Sequence, residues 1–263
     1  MNFEPVKIGD WCTLYRGDCI EVLPTLPAGS VDAVVTDPPY GETQLDYDAV
    51  PNLTWTQHLD CLAADAVIAS CASMRYALQL IPAMPSAIPF RYELVWVKNS
   101  ATRFLDVATR PLCNHEYVLI FGGTRYRRID WPRDVMLRMG GREMKPQTTM
   151  SGEHWNQLPR TAYVYGRSEA PKTAFCLTRG HNNGLRRKLG YHPSRKPLAL
   201  MVWLLNVYTN PGHLVLDPFM GSGTTALACR LTGRRFIGCE RNGTYFSGAR
   251  GLIEAQAAQG RMF

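Results

Sequence analysis

The chain alternates short apolar runs rich in β-branched residues with segments whose apolar residues recur at helical spacing. Residues 30–36 read Ser-Val-Asp-Ala-Val-Val-Thr, with β-branched side chains on both faces, which is typical of a strand buried in a parallel sheet. Further along, Leu198, Met201, Val202 and Leu205 share one helical face. Because strands that alternate with helices form βαβ units, the sequence predicts an α/β fold whose mainly parallel sheet has helices on both faces.

The same patterns give approximate positions for these elements. Strands are predicted at residues 30–36, 66–69, 92–97, 116–121, 213–216 and 235–238. Helices are predicted at 54–62, 75–81, 196–209 and 224–231, and the Ala/Gln-rich tail from Ile253 is interpreted as the end of another helix.

This alternation stops between residues 122 and 190, which are rich in Gly, Arg and Pro and have no clear period. We therefore interpret 122–190 as a region inserted into one α/β domain made of residues 1–121 and 191–263. With 263 residues, the chain is long enough for one large domain of this kind.

The predicted insert also accounts for the net positive charge of the chain. It contains fourteen Lys or Arg and five Asp or Glu, whereas the whole chain has a net charge of only +7. A near-neutral body with a basic insert is expected of a nucleic-acid-binding protein, although a solvated basic surface would have the same composition. Interleaved aromatic residues could stack on bases. The candidate DNA-binding residues are Arg125, Arg127, Arg128, Arg186, Arg187 and Lys188.

Several classes of protein are excluded or disfavoured. No run of about 18 apolar residues could span a membrane, and the first residues lack the pattern of a signal peptide. The eight cysteines are not spaced like a zinc knuckle. We expect a cytoplasmic globular protein with no membrane partner and no metal.

A glycine loop between a predicted strand and helix is a candidate cofactor site. Asp217-Pro-Phe-Met-Gly-Ser-Gly-Thr-Thr contains a Gly-x-Gly that lets backbone amides approach a ligand, and Glu240 follows at a distance suited to bind ribose hydroxyls. No lysine follows the glycines, so a nucleoside triphosphate site is disfavoured. The Asp217 carboxylate suits a ligand with a positive end. S-adenosylmethionine, which has a ribose and an ammonium-sulfonium end, fits these requirements.

A second motif, Asp37-Pro38-Pro39-Tyr40, directly follows the strand at 30–36, where α/β sheets place their sites. An exocyclic amine on a nucleobase is a poor nucleophile because its lone pair is delocalised into the ring. The Asp37 carboxylate and the Pro38 carbonyl could accept its two N–H groups and free that pair. Tyr40 offers a face for a flipped base. The alternative interpretation is an ordinary turn.

Together these motifs make the chain resemble the permuted, β-class DNA amino-methyltransferases. In that family Asp-Pro-Pro-Tyr precedes a variable target-recognition region, and Asp-Pro-Phe-x-Gly-Ser-Gly-Thr follows it. Two further segments share the resemblance, Trp96-Val97-Lys98 and residues 115–121. The resemblance implies a Rossmann-like S-adenosylmethionine-dependent fold, with 122–190 as the target-recognition region.

The resemblance also implies roles for individual residues. The candidate catalytic residues are Asp37, Pro38, Pro39 and Tyr40. The candidate cofactor-binding residues are Asp18 at the adenine; His192, Ser194 and Lys196 near the methionine carboxylate; Asp217, Phe219, Gly221, Ser222, Gly223 and Thr224 in the loop; and Glu240 at the ribose. The chain departs from the family pattern at Arg195, where a neutral polar residue is common, and at Arg241-Asn242-Gly243.

The expected activity is methylation of adenine N6 at specific sites in double-stranded DNA, since Asp rather than Ser before Pro-Pro-Tyr favours adenine over cytosine. Cytosine-N4 methylation is the first alternative, RNA is a more distant substrate, and a catalytically silent DNA-binding protein is the alternative from another class. A homodimer, with the insert packed on a second subunit, is the competing explanation of the basic charge.

Overall fold

The computed structural model describes residues 4–42, 53–102, 108–109, 111–123, 174–176 and 195–258. The strands are β1 (Val6–Ile8), β2 (Cys12–Arg16), β3 (Val31–Thr36), β4 (Leu62–Ala72), β5 (Phe90–Thr102), β6 (Cys113–Gly122), β7 (Ala174–Cys176), β8 (Leu214–Asp217) and β9 (Arg235–Glu240). The α-helices are α1 (Cys19–Val22), α2 (Met74–Ala83), α3 (Leu198–Tyr208), α4 (Thr224–Thr232) and α5 (Gly243–Ala258). Two 3₁₀ turns cover Leu23–Thr25 and Leu53–Gln57.

The nine strands form one sheet in the order β1-β2-β9-β8-β3-β4-β6-β5-β7. The central strands β2, β9, β8, β3 and β4 are all parallel, as predicted. Strand β6 is antiparallel to both β4 and β5, and β1 is antiparallel to β2. The parallel centre matters most for function because it brings the carboxyl ends of its strands to one edge of the sheet.

Two apolar clusters cover the two faces of this sheet, which confirms helices on both sides. One cluster packs α3, α4 and α5 against the sheet, and its buried residues include Leu204, Ala226 and Phe246. The other cluster contains α1, α2 and the 3₁₀ turn at Leu53–Gln57, with Trp55 and Tyr76 fully buried. The sheet is therefore the middle layer of three, the arrangement expected of a doubly wound fold.

Helix α3 is apolar around most of its circumference because it packs against both the sheet and α4. Every residue from Leu200 to Leu205 is buried. Its last carbonyls are satisfied by the buried Arg234, whose guanidinium donates to the carbonyls of Leu205 and Thr209. None of the helices in the described ranges is long and apolar enough to cross a bilayer.

The helix predicted at 54–62 is wrong. The chain forms a 3₁₀ turn over Leu53–Gln57, and β4 begins at Leu62. Trp55 and Leu59 are buried at the predicted spacing, but Leu62 belongs to the strand. The Thr56 hydroxyl contacts the carbonyl of Leu53, a local side-chain contact of the kind that competes with helix formation, and the carbonyl of Ala83 at the end of α2.

Three strands were not predicted: β1, β2 and β7. Strand β7 lies inside the region interpreted as an insert, yet it pairs in parallel with β5, with Phe175 opposite Trp96. Part of the segment 122–190 thus continues the sheet of the main domain. The rest of that segment lies outside the described residues, apart from Gly122 and Gly123.

Candidate functional site

The candidate site lies where the winding of the sheet reverses. From β3 the chain crosses to β4 on one side, whereas from β8 it crosses to β9 on the other. The carboxyl ends of β3 and β8 therefore flank a crevice, the usual ligand position in open α/β sheets. Asp37 directly follows β3, and Asp217 is the last residue of β8. The two motifs that the sequence singled out, 180 positions apart, meet at this crevice.

Asp217 holds the crevice together. Its carboxylate accepts hydrogen bonds from the hydroxyl of Thr36 at 2.7 Å, from the hydroxyl of Thr225 at 2.7 Å and from the amide of Phe219 at 3.1 Å. Burial raises the pKa of Asp217 to about 6 even though these three hydrogen bonds favour the ionised form. Above that value the carboxylate is ionised and buried, and such a charge is stabilised by a cation on a ligand.

The glycine loop turns sharply from β8 into α4. Gly221 and Gly223 both have positive φ, at 52° and 74°, in the region that favours glycine. A Cβ on Gly223 would also lie 3.3 Å from side-chain atoms of Ala249 and Ile253 on α5. The loop conformation thus depends on glycine at both positions, as the sequence motif predicted.

Glu240 fixes the loop from the neighbouring strand. Its two carboxylate oxygens accept from the amides of Gly221, at 3.0 Å, and Asn242, at 2.7 Å. Burial raises the pKa of Glu240, partly offset by these two amide donors. The contact to Gly221 places the predicted ribose-binding carboxylate next to the predicted cofactor loop.

Asp37 is joined to residues from both halves of the chain. Its Oδ1 accepts from the Tyr40 hydroxyl at 2.8 Å and lies 2.9 Å from the Lys196 ammonium. Burial raises the pKa of Asp37; the Lys196 charge opposes the rise and the nearby Glu116 charge adds to it. Lys196 was predicted to bind the cofactor, and the structure places its ammonium on Asp37 while its side chain also lines the crevice.

Sequence reasoning missed Glu116 and Lys98 as site residues. Glu116 on β6 lies 2.8 Å from Lys196 through Oε2 and 3.0 Å from Lys98 on β5 through Oε1. Burial alone would raise the pKa of Glu116, but the two lysines outweigh it and lower the pKa. A signal was available in the sequence, because Lys98 and Glu116 each adjoin the apolar runs 94–97 and 117–121, where charged residues usually have a partner.

Tyr40 contacts an aromatic ring and an ammonium group. The Tyr76 ring lies 5.7 Å from the Tyr40 ring at a tilt of 34°, and the Lys196 ammonium lies 5.2 Å from the Tyr40 centroid. Nearby, Trp55 meets the edge of Phe219 at 5.7 Å. These contacts connect the candidate catalytic motif to the cofactor loop through a shared apolar wall.

Arg195, the departure from the family pattern, also lines the crevice. Its Nε donates to the Thr224 hydroxyl at 3.2 Å, and that hydroxyl lies 3.0 Å from the hydroxyl of Ser222. Its Nη2 is buried and has no hydrogen-bond partner among the described residues. Burial lowers the pKa of Arg195. A buried guanidinium nitrogen without an acceptor is suited to receive a carboxylate from a ligand.

The remaining predicted residues divide into two groups. Asp18 lies beyond the carboxyl end of β2, at the same edge of the sheet, where its side chain caps α1 by accepting from the Ile20 amide at 3.1 Å. The others lie outside the described residues: His192, Ser194, Arg125, Arg127, Arg128, Arg186, Arg187 and Lys188. Within the described part of the chain, no group of three His, Cys, Asp or Glu residues could hold a metal ion.

Comparison with known proteins identifies the family. Residues 31–250 match the N6/N4 methyltransferase family, described as DNA methylase. The chain is 26% identical to the DNA adenine methyltransferase YhdJ of Escherichia coli K12, over 92% of this chain and 83% of that protein.

Two solved structures share the fold. M1.HpyAVI in complex with S-adenosylmethionine has a TM-score of 0.63 at 23% identity and covers 92% of this chain and 98% of its own. The PvuII DNA methyltransferase, which is cytosine-N4-specific, has a TM-score of 0.66 at 18% identity and covers 98% of this chain and 94% of its own.

The crevice fits S-adenosylmethionine on its own chemistry. The buried Asp217 carboxylate could pair with an ammonium, and Nη2 of Arg195, which has no partner among the described residues, could pair with a carboxylate; these are the two charged groups of the methionine end. Positive-φ glycines leave backbone open beside them, and Glu240 adds a carboxylate for ribose hydroxyls. With residues 31–250 matching the family and the crevice suited to its cofactor, the chain belongs to the DNA methylase family of S-adenosylmethionine-dependent N6/N4 methyltransferases.

Proposed function

We propose that this DNA methyltransferase modifies the N6 amine of adenine within a specific sequence of double-stranded DNA, and that it belongs to the permuted β class. The observation that carries this proposal is the meeting of Asp37 with Asp217 and the glycine loop across one crevice, where Thr36, the neighbour of Asp37, donates to Asp217. An acceptor for the target amine thus lies next to the predicted cofactor site. The order of the motifs, with Asp-Pro-Pro-Tyr before the cofactor loop, supports the β class.

Bound S-adenosylmethionine would supply an electrophilic methyl group for the target nitrogen. Asp217 would bind its ammonium, Arg195 and Lys196 would lie near its carboxylate, and Glu240 would bind its ribose. In the proposed arrangement Asp18 lies near the adenine, and His192 and Ser194 complete the methionine end.

The chain's own contribution is to orient the target amine. The Asp37 carboxylate and the Pro38 carbonyl accept its two N–H groups, which draws the nitrogen lone pair out of the ring. Pro38 holds its carbonyl on a backbone with fixed φ, and Pro39 continues that rigid turn. Tyr40 offers an aromatic face to the flipped base. Alignment of this kind accelerates the reaction without a metal ion.

Cytosine-N4 methylation is the second candidate, favoured by the likeness of the fold to the cytosine-N4-specific PvuII enzyme. Asp rather than Ser at position 37 and the adenine specificity of the E. coli relative favour adenine. Sequencing that reports modified bases, on DNA from cells that express the protein, separates the two. Modified adenine in one sequence context supports the proposal; N4-methylcytosine supports the second candidate; unmodified DNA supports a silent DNA-binding protein.

The proposed insert, residues 122–190, would read the target sequence with its arginines. We place Arg125, Arg127, Arg128, Arg186, Arg187 and Lys188 against DNA on the basis of the charge of this segment. We keep the cytoplasm as the predicted location; the relative YhdJ is a DNA adenine methyltransferase from a bacterium. A homodimer remains the alternative role of the insert.

Replacing Glu240 with Gln should weaken S-adenosylmethionine binding by about 1–3 kcal/mol. The Gln side chain has one acceptor oxygen, so the backbone N–H of Gly221 or of Asn242 loses its partner. The negative charge that faces the proposed ribose position is also lost. Calorimetric titration measures the affinity. Glu254→Gln, an exposed site on α5, is the matched control. Equal affinity of Glu240→Gln and this control would place the ribose contact elsewhere.

The affinity for S-adenosylmethionine should rise with pH through about 6 and level off above it. Burial raises the pKa of Asp217 to about 6, so below that value the carboxyl is mostly protonated and loses its attraction for the cofactor ammonium. Titrations between about pH 5 and about pH 8 measure this. Asp217→Asn should remove most of the pH dependence; an unchanged slope in that variant would assign it to another group.

A further inference from the structure

A partly buried row of alternating charges connects strands β5 and β6 to the candidate catalytic carboxylate. Lys98, Glu116, Lys196 and Asp37 follow one another with separations of 3.0, 2.8 and 2.9 Å. The side chains are only 13%, 21%, 9% and 22% exposed, in the same order. The row is neutral as a whole, so each charge is balanced by its neighbours rather than by water.

The two carboxylate oxygens of Asp37 have different contacts in this row. Both the Tyr40 hydroxyl and the Lys196 ammonium contact Oδ1. Neither contact uses Oδ2, which can therefore accept an N–H from a base. The orientation of the Asp37 carboxyl group therefore depends on the position of the Lys196 ammonium.

Glu116 also contacts the Lys196 ammonium. It contacts Lys196 through Oε2 and Lys98 through Oε1, so its carboxylate is held at both oxygens. Lys196 lies between two carboxylates and is drawn to each. Without Glu116 its ammonium would be attracted to Asp37 alone and could bridge both oxygens of that group.

We propose that Glu116 is a positioning residue for methyl transfer: it draws Lys196 away from Oδ2 of Asp37, so that this oxygen stays available for the amine of the target base. The inference rests on the proposed function of Asp37. Lys98 supports it by holding the other oxygen of Glu116.

Glu116→Gln should lower kcat by about 10–100-fold, the scale of a misplacement of about 1 Å at a reacting group. The KM for DNA and the affinity for S-adenosylmethionine should stay within about twofold of the wild type, because Glu116 touches neither in this arrangement and the Lys196 ammonium keeps its charge beside Asp37 at the crevice. Single-turnover methylation and calorimetric titration separate these quantities. Glu93→Gln is the matched control, an exposed glutamate on the adjacent strand β5.

The pH profile gives a readout that a purely structural role would not change. The Glu116 charge helps to raise the pKa of Asp37, so the acidic limb of kcat should move to lower pH in Glu116→Gln. The ionisable groups that interact electrostatically with Asp37 are Lys196, Glu116, Tyr40, Tyr76, Cys71 and Asp217. Of these, the variant changes only Glu116.

A second variant covers the case in which Glu116→Gln folds poorly because Lys98 and Lys196 then face each other unbalanced. The double change Lys98→Gln with Glu116→Gln removes one charge of each sign and should restore the thermal stability without restoring kcat. Recovery of kcat in the double variant, or wild-type kcat in Glu116→Gln, would overturn the positioning role. Absence of methyl transfer by the wild type would instead overturn the proposed function.

Discussion

The Asp37→Asn variant should transfer methyl groups to DNA at a rate about 100-fold or more below the wild type. The amide keeps the shape of the side chain but replaces one acceptor oxygen by a donor and removes the charge that faces the target amine. Lys196 keeps its contact to Glu116, so the surrounding structure is preserved. The measurement is incorporation of a labelled methyl group into DNA under single-turnover conditions.

Affinity for S-adenosylmethionine should change by less than about twofold in the same variant, because Asp37 is assigned to the base rather than to the cofactor. Asp60→Asn, an exposed aspartate before β4, is the matched control and should retain full activity. Transfer by Asp37→Asn at more than a few per cent of the wild-type rate would contradict the role. A parallel loss of cofactor affinity would move Asp37 to the cofactor side of the crevice.

The second large effect is a loss of DNA affinity when basic residues of the proposed insert, residues 122–190, are replaced. Replacing Arg186, Arg187 and Lys188 together with Ala should weaken binding to all DNA sequences alike, on the order of tenfold or more at low salt. Removal of each phosphate-binding charge should also reduce the slope of log affinity against log salt by about 0.9. Fluorescence titration of specific and unrelated duplexes at several salt concentrations measures both quantities.

The matched control replaces three exposed basic residues outside the insert: Lys7, Arg75 and Arg91. These should leave the salt slope nearly unchanged. Because β7 lies within residues 122–190 and pairs with β5, point substitutions test the insert better than its deletion, which would disturb the sheet. Unchanged DNA affinity together with loss of a dimer, measured by light scattering, would assign the charge to a subunit interface.

The position of the site was predictable because both motifs lie at the carboxyl ends of strands that the sequence marks clearly. Residues 30–36 and 213–216 are short apolar runs, and parallel strands bring such ends to one edge. The sheet then joins Thr36 to Asp217 across 181 positions, which the βαβ pattern implied without naming the pair. The two glycines with positive φ were likewise visible in the motif.

The charged row was not predictable in the same way. Glu116 and Lys196 are 80 positions apart, and their contact depends on the antiparallel addition of β6 to β4, which no local pattern indicates. Strand β7 has three residues in a region without periodicity and is defined only by its partner β5. At residues 54–62 the spacing predicted a helix; Trp55 and Leu59 are buried, but the chain forms a 3₁₀ turn and β4 begins at Leu62.

The most direct test of the account is mass spectrometry of nucleosides from unmethylated DNA incubated with the purified protein and S-adenosylmethionine. We predict N6-methyladenine in the wild-type reaction, and its loss in the Asp37→Asn reaction. N4-methylcytosine in place of N6-methyladenine would contradict the adenine assignment, and unmodified DNA in the wild-type reaction would contradict methyl transfer by this chain.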